Sequence, residues 1–226
     1  MVTYIALVGI DGSGKTTHSR ILSYFFKKHR VRVRTLYGRA PFFFSLPLLG
    51  LFRISGLTTV QKFGSRKTYV ATWREIAPLV NLWLLLRLFD SVLFILFAFY
   101  IFPFIFRLQK VVFDRFIIDD IVDSLISNKV NFSFVNIFIS LIPRKVRFIL
   151  LDVNESLSVR RKSDTWDTLR TKRMRLIYLL LASKFGWYIV NSSSSLVKTS
   201  RRIVKIACSP SLASNNHYAK INMHGD

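Results

Sequence analysis

The sequence predicts an α/β fold, a parallel sheet covered by helices on both faces in a three-layer α/β/α arrangement. Three observations predict it. Five short runs rich in branched and aromatic residues alternate with longer helical patterns. Several of those runs are almost wholly apolar, as strands are when both faces of their sheet are covered. The first run leads straight into a glycine-rich segment, "GIDGSGKTT", that opens a helix.

Each element follows in order. "TYIALV" (3–8) is the first strand, and "KTTHSRILSYFFKKH" after it is an amphipathic helix. "VRVRTLY" (31–37), "KVVFD" (110–114), "VRFILLD" (146–152) and "WYIVN" (187–191) are the other strands. Parallel strands need right-handed crossovers, and such sheets bind ligands at their carboxyl ends. That edge collects the glycine-rich segment, the pair Asp114-Arg115 and Asp152. The chain of 226 residues suits one domain over 1–208, and the polar, turn-rich residues 209–226 read as a loose tail.

Composition narrows the partners. A formal net charge of +22 suits anionic ligands, and by charge alone nucleic acid or an anionic membrane surface. No recognised nucleic-acid module accompanies it, so nucleic acid is not the expected partner. One cysteine, Cys208, excludes an internal disulfide framework and fits a reducing, cytoplasmic compartment. The N-terminus lacks the charged region of a signal peptide. His18, His29, His217 and His224 show no metal-ligand spacing with Cys208, and no G-x-S-x-G elbow occurs.

The middle of the chain, 41–106, is a hydrophobic and mainly helical region. "PFFFSLPLLGLF" (41–52) is nearly all apolar, and residues 79–106 carry only Arg87 and Asp90 as charges. The second stretch is long enough to span a bilayer. The phosphate loop and Asp114-Arg115 must meet in one site, so the chain has to cross an even number of times between them. The other apolar stretch is short and holds two prolines, and a paired span would export the basic segment 53–75. A core helix that also forms a homodimer interface is therefore expected, with shallow contact on an anionic membrane as the alternative. Arg87 and Asp90, three apart on one helical face, are expected to pair with each other.

The chemistry starts at the glycines. Gly9, Gly14, Lys15 and Thr16 fit G-x-x-x-x-G-K-[ST], the phosphate-binding loop, and Asp11, Gly12, Ser13 and Thr17 complete the loop and the first helical turn. Glycines let backbone N–H groups ring a phosphate, and the helix dipole points its positive end there. Lys15 would reach the outer phosphates of a nucleotide such as ATP, and the Thr16 hydroxyl would coordinate Mg²⁺.

Taken with the acidic Asp11, "VVFDRF" and "LLDVNESLSVRRKSD", the chain resembles the thymidylate kinase family of P-loop nucleoside monophosphate kinases, over roughly residues 3–39 and 108–205. The resemblance implies a P-loop NTPase fold with a five-stranded parallel sheet and a short arginine-rich lid at about 154–172. It also implies transfer of the ATP γ-phosphate to dTMP. Asp11 matches an acidic residue that meets the acceptor sugar. Asp114 matches a metal-site aspartate, and Arg115 an arginine spanning the transferred phosphates. The phosphate loop lacks an arginine, so by the same resemblance Arg160, Arg161 or Arg170 in the lid supplies charge in the transition state. Arg39, in "YGRAP", stands where an acceptor-phosphate arginine is expected. "VNSSSSL" (190–196) resembles an adenine-contacting loop, and Tyr178 fits either the family or the core. The serine and the Ala-Tyr-Gln that help read thymine are missing; Asp119 and Asp120 stand there instead. Phe89 is either a core residue or the base-stacking phenylalanine. A kinase of another nucleotide or nucleoside, and a membrane-associated nucleotide-binding protein without kinase activity, are the alternatives.

Overall fold

The computed structural model describes residues 2–38, 43–63, 66–71, 76–126, 132–161 and 168–209. In chain order the elements are β1 (Thr3–Val8), α1 (Lys15–Lys28), β2 (Val33–Tyr37), α2 (Ser45–Ile54), β3 (Thr58–Phe63), β4 (Arg66–Ala71) and α3 (Ala77–Leu96). A π-helical turn (Phe97–Ile101), α4 (Phe102–Ile105), β5 (Lys110–Asp114), α5 (Ile117–Ile126) and α6 (Phe132–Leu141) follow. The chain continues through β6 (Val146–Asp152), α7 (Glu155–Arg161), α8 (Thr168–Phe185), β7 (Tyr188–Asn191) and α9 (Leu196–Cys208). Of the expected tail, 209–226, all but Ser209 lies outside the described residues. The chain divides into two compact units, Met1–Leu36 with Gln109–Asp114 and Arg144–Asp226, and Tyr37–Leu108 with Arg115–Pro143.

The first unit carries the five-stranded parallel sheet, in the order β2-β5-β1-β6-β7. All five predicted strands are present. Two begin later than the pattern suggests, at Val33 and Tyr188. At the second of these, Gly186 takes φ 65° and the Trp187 N–H bonds back to the Ala182 carbonyl, so Trp187 closes α8 rather than opening the strand. β1 is central and is buried from Tyr4 to Val8, because β5 and β6 flank it and helices cover both faces. Ile5, Leu7, Val112, Ile149, Leu151 and Val190 of the sheet pack with Leu22 and Phe26 of α1 and Ile203 of α9. Each such fully buried side chain contributes about 1.5–3 kcal/mol relative to exposure. Tyr178 of α8 is also fully buried, which places it in the core. The guanidinium of Arg147 donates to the carbonyls of Ile206 (2.5 Å) and Ser209 (2.8 Å) and so caps the end of α9.

The second unit is built otherwise. Its strands β3 and β4 form an antiparallel hairpin within a region that the sequence suggested was mainly helical. Its long apolar helix runs through α3, the π-turn and α4. The expected Arg87–Asp90 pair does not form. Asp90 is fully buried and accepts from the Phe44 N–H (2.9 Å), the Ser45 N–H (3.1 Å) and the Ser45 hydroxyl (2.5 Å), capping α2 from a distance. Arg87 instead donates to Asp120 of α5. The reason is the demand of a buried helix start: unpaired N–H groups draw the carboxylate more strongly than a neighbour on its own helix does.

Candidate active site

The phosphate loop follows β1 at the carboxyl edge of the sheet. Gly9, Gly12 and Gly14 take φ 141°, 79° and 91°, which side chains rarely adopt. Space forbids side chains as well. A Cβ at Gly9 would stand 2.7 Å from the Leu151 carbonyl oxygen, and one at Gly12 would stand 2.6 Å from that of Ser158. α1 starts at Lys15 with no side-chain cap and no acidic residue in its first turn, leaving its amides suited to an anion.

Lys15 is buried. Its ammonium donates to the carbonyls of Gly9 (2.5 Å) and Ile10 (2.7 Å) and lies 3.8 Å from an Asp11 carboxylate oxygen. The loop thus folds around its own cation, and an entering phosphate would compete with neutral carbonyls and one carboxylate for it. Thr16 and Thr17 are exposed on the first turn.

Asp114 ends β5, in register with Leu7 of β1, and so shares the loop's edge of the sheet. It is buried, and its Oδ1 has no hydrogen-bond partner among the described residues; nor has the buried Ser13 hydroxyl. An orphaned buried carboxylate oxygen is costly unless it serves a ligand. Hard oxygen donors such as Asp114 and the Thr16 hydroxyl fit Mg²⁺, which keeps several waters and takes one or two protein ligands.

Helix α7, in the segment expected to be a lid, meets the loop directly through the Ser158 hydroxyl, which donates to the Asp11 carbonyl. Arg161 at its end donates to the Ser192 carbonyl (3.2 Å), and Arg160 is exposed. Ser192 in turn bonds the Asp152 carbonyl through its N–H (2.7 Å) and hydroxyl (3.0 Å), which places the "VNSSSSL" segment beside the lid. His18 of α1 lies against Ser200 at 3.1 Å. Burial first, and Arg161 second, hold its imidazole below the ordinary value of 6.5. Arg170 on α8 is half-buried. Residues 162–167 of the lid, and Arg39, lie outside the described residues.

Sequence reasoning missed Ser158 and Arg175. Arg175 of α8 grips Asp152 with two nitrogens, at 2.6 and 2.8 Å, and reaches Glu155 at 3.3 Å. Asp152 pushes the Arg175 guanidinium further up from its already high value. The Glu155 carboxyl is held below its ordinary range by its own backbone N–H, with Arg175 assisting against burial. A carboxylate at a strand end followed by a basic helix was the available signal for this pairing.

Arg115 opens the second segment of the second unit, half-buried, with φ 70°. That left-handed conformation costs a residue with a Cβ about 1–2 kcal/mol. The turn after it is fixed by Asp119, whose carboxylate accepts from the Phe116 N–H at 3.0 Å. Asp119 and Asp120 therefore have structural partners within their unit. Phe89 is not a core residue; it is 50% exposed and meets Phe44 edge-on, with ring centroids 5.1 Å apart.

The fold and the loop together define a P-loop α/β protein. Its architecture is that of a thymidylate-kinase-like P-loop kinase. A thymidylate kinase from Ehrlichia chaffeensis shares the fold with a TM-score of 0.50 and 17% identity, over 91% of this chain and 98% of that one. A deoxyadenosine kinase from M. mycoides, solved with bound dATP, does so with a TM-score of 0.50 and 14% identity, over 90% and 97%. No protein-family model and no curated protein matches the chain by sequence.

Proposed function

We propose that the protein is an ATP- and Mg²⁺-dependent kinase of nucleotides or nucleosides, with dTMP as its foremost acceptor and dTDP and ADP as products, residues 1–208 serving as one cytoplasmic kinase domain. The observation that carries the reading is the buried Lys15 ammonium within the glycine loop, at the same sheet edge as the orphaned oxygen of Asp114. A loop of amides and one lysine is suited to holding the β- and γ-phosphates. When bound, Mg²⁺ supplies charge neutralisation on those phosphates, and Thr16 and Asp114 would hold it.

Phosphoryl transfer asks little covalent work of a protein; positioning and charge carry it. In this reading Lys15 leaves its loop carbonyls for the donor phosphates. Arg115, with Arg160 or Arg161 from the lid helix, neutralises charge that grows on the moving group. Guanidinium forks match phosphate oxygens in pairs. Asp11 orients the acceptor sugar. Its backbone is held by Ser158, so the acceptor-side carboxylate and the lid arginines are supported by one short helix.

A second reading, phosphorylation of a deoxynucleoside, is favoured by the equal structural likeness to a deoxyadenosine kinase. ADP release measured across dTMP, dUMP, other monophosphates, thymidine and deoxyadenosine separates them. Turnover highest on dTMP is the expected result, and turnover on nucleosides alone overturns it. Failure to bind ATP or ADP in the presence of magnesium would reject both.

A further inference from the structure

The second unit leaves a series of large apolar side chains exposed along its long apolar helix. Along α3, the π-turn and α4, the side chains of Leu85, Phe89, Tyr100, Ile101, Phe104 and Ile105 face outward, Phe104 at 83% and Ile105 at 62% exposure. Between them Phe94, Ile95, Ala98 and Phe99 are buried in the unit. The stripe follows helical spacing along Pro78–Ile105, a helix about 40 Å long and, by length and composition, apolar enough to cross a membrane. Of its most apolar window only 39% is buried, so it is not a core helix throughout. From α2, Leu51 and Ile54 are exposed as well. The bare patch on a typical monomer covers about 300–600 Å², and larger ones mark interaction sites.

We infer that this face docks on the surface of an anionic lipid bilayer, with the helix lying in the interface rather than crossing it. Crossing is opposed by the helix's own charges. Arg87 and Asp90 are the only charged residues between 79 and 106, and both are buried and engaged, with Asp120 and with the start of α2. A span would strip both of their partners, whereas docking leaves them in place and presents an outer stripe free of charge. A second copy of the chain is the rival occupant, and charge decides against it. Each copy carries +22, so pairing brings two strongly positive bodies together, while an anionic leaflet attracts the same charge. Chemistry agrees, because protein interfaces carry about one hydrogen bond per 100–200 Å² and this stripe offers few polar groups beyond the Tyr100 hydroxyl. Arg53 and Arg107 are exposed beside Ile54 and Phe106 in sequence, as suits apolar side chains among acyl chains and cations among lipid phosphates.

The test is flotation of the full chain with vesicles of phosphatidylcholine alone and of phosphatidylcholine with about a third phosphatidylglycerol. The expected result is flotation with the anionic vesicles, several-fold weaker with the neutral ones and weakened by salt. The neutral double variant Leu85→Ser with Phe104→Ser should lower the bound fraction by at least about tenfold, because two large side chains no longer enter the lipid. Both positions are exposed, so its melting temperature should match the parent's, and an unchanged melt excludes misfolding as the cause. Equal flotation of parent and variant overturns the inference. So does absence of flotation combined with a dimer in light scattering that the variant dissociates, since the occupant is then a second copy. The outcome is independent of whether dTMP is the acceptor.

Discussion

The two units treat charge and apolar surface in opposite ways. In the first, apolar side chains fill the sheet's interior and the ionic groups gather at its carboxyl edge, where Lys15, Asp114 and Arg161 lie. In the second, the charges of the longest helix turn inward, to Asp120 and the start of α2, while large apolar side chains face out. An apolar run in sequence is therefore not a statement about burial. In β1 it marks a strand covered on both sides; in α3 it marks a helix covered on one.

The contrast yields four predictions, from the largest effect down. Lys15→Ala should lower turnover by about 10³-fold or more, some 4 kcal/mol of barrier, with the fold retained. Retained turnover in the folded variant would break the claim that the first unit's edge is the working site. Asp90→Ala should destabilise the protein by about 3 kcal/mol in denaturant titration, because two N–H groups and a hydroxyl lose their acceptor in the interior. A loss below about 0.5 kcal/mol would mean the inward charge is ornamental to the second unit. Ser158→Ala should cost about 1 kcal/mol, read as a several-fold fall in kcat with the KM for ATP little changed, because α7 loses its bond to the Asp11 carbonyl. A change in KM alone would assign Ser158 to ground-state binding instead.

The smallest effect is a pH dependence. The folded imidazole of His18 is depressed below 6.5, so its contribution to stability is present above that pH. It is lost as pH falls below 6.5 through the folded value, where the unfolded chain takes up the proton first. Thermal melts between about pH 7.5 and pH 5 should show His18→Asn flattening this slope. An unchanged slope would remove His18 from the account.

Much of the first unit was legible in the residues. Apolar strand runs report a buried parallel sheet, and Gly9, Gly14, Lys15 and Thr16 sit at a spacing that few other structures require. Asp114 was legible because it terminates such a run. What escaped reading depends on distant partners. Asp90 looked like a neighbour for Arg87 because local spacing is visible and a helix start elsewhere is not. The hairpin β3/β4 lay between two apolar helices whose composition overshadowed the β-branched residues around Gly64 and Ser65. Ser158 is an ordinary serine until the fold brings it to the Asp11 carbonyl.

Arg175 has a consequence for the field at the phosphate loop. Asp152 ends the strand beside β1, and Glu155 begins α7; bare, both would repel an incoming polyphosphate. One guanidinium from α8 neutralises the first and partly the second. In the proposed kinase reading a nucleotide would then meet Lys15, the amides of α1, the α7 arginines and the carboxylates of Asp11 and Asp114, with Asp152 and part of Glu155 already neutralised.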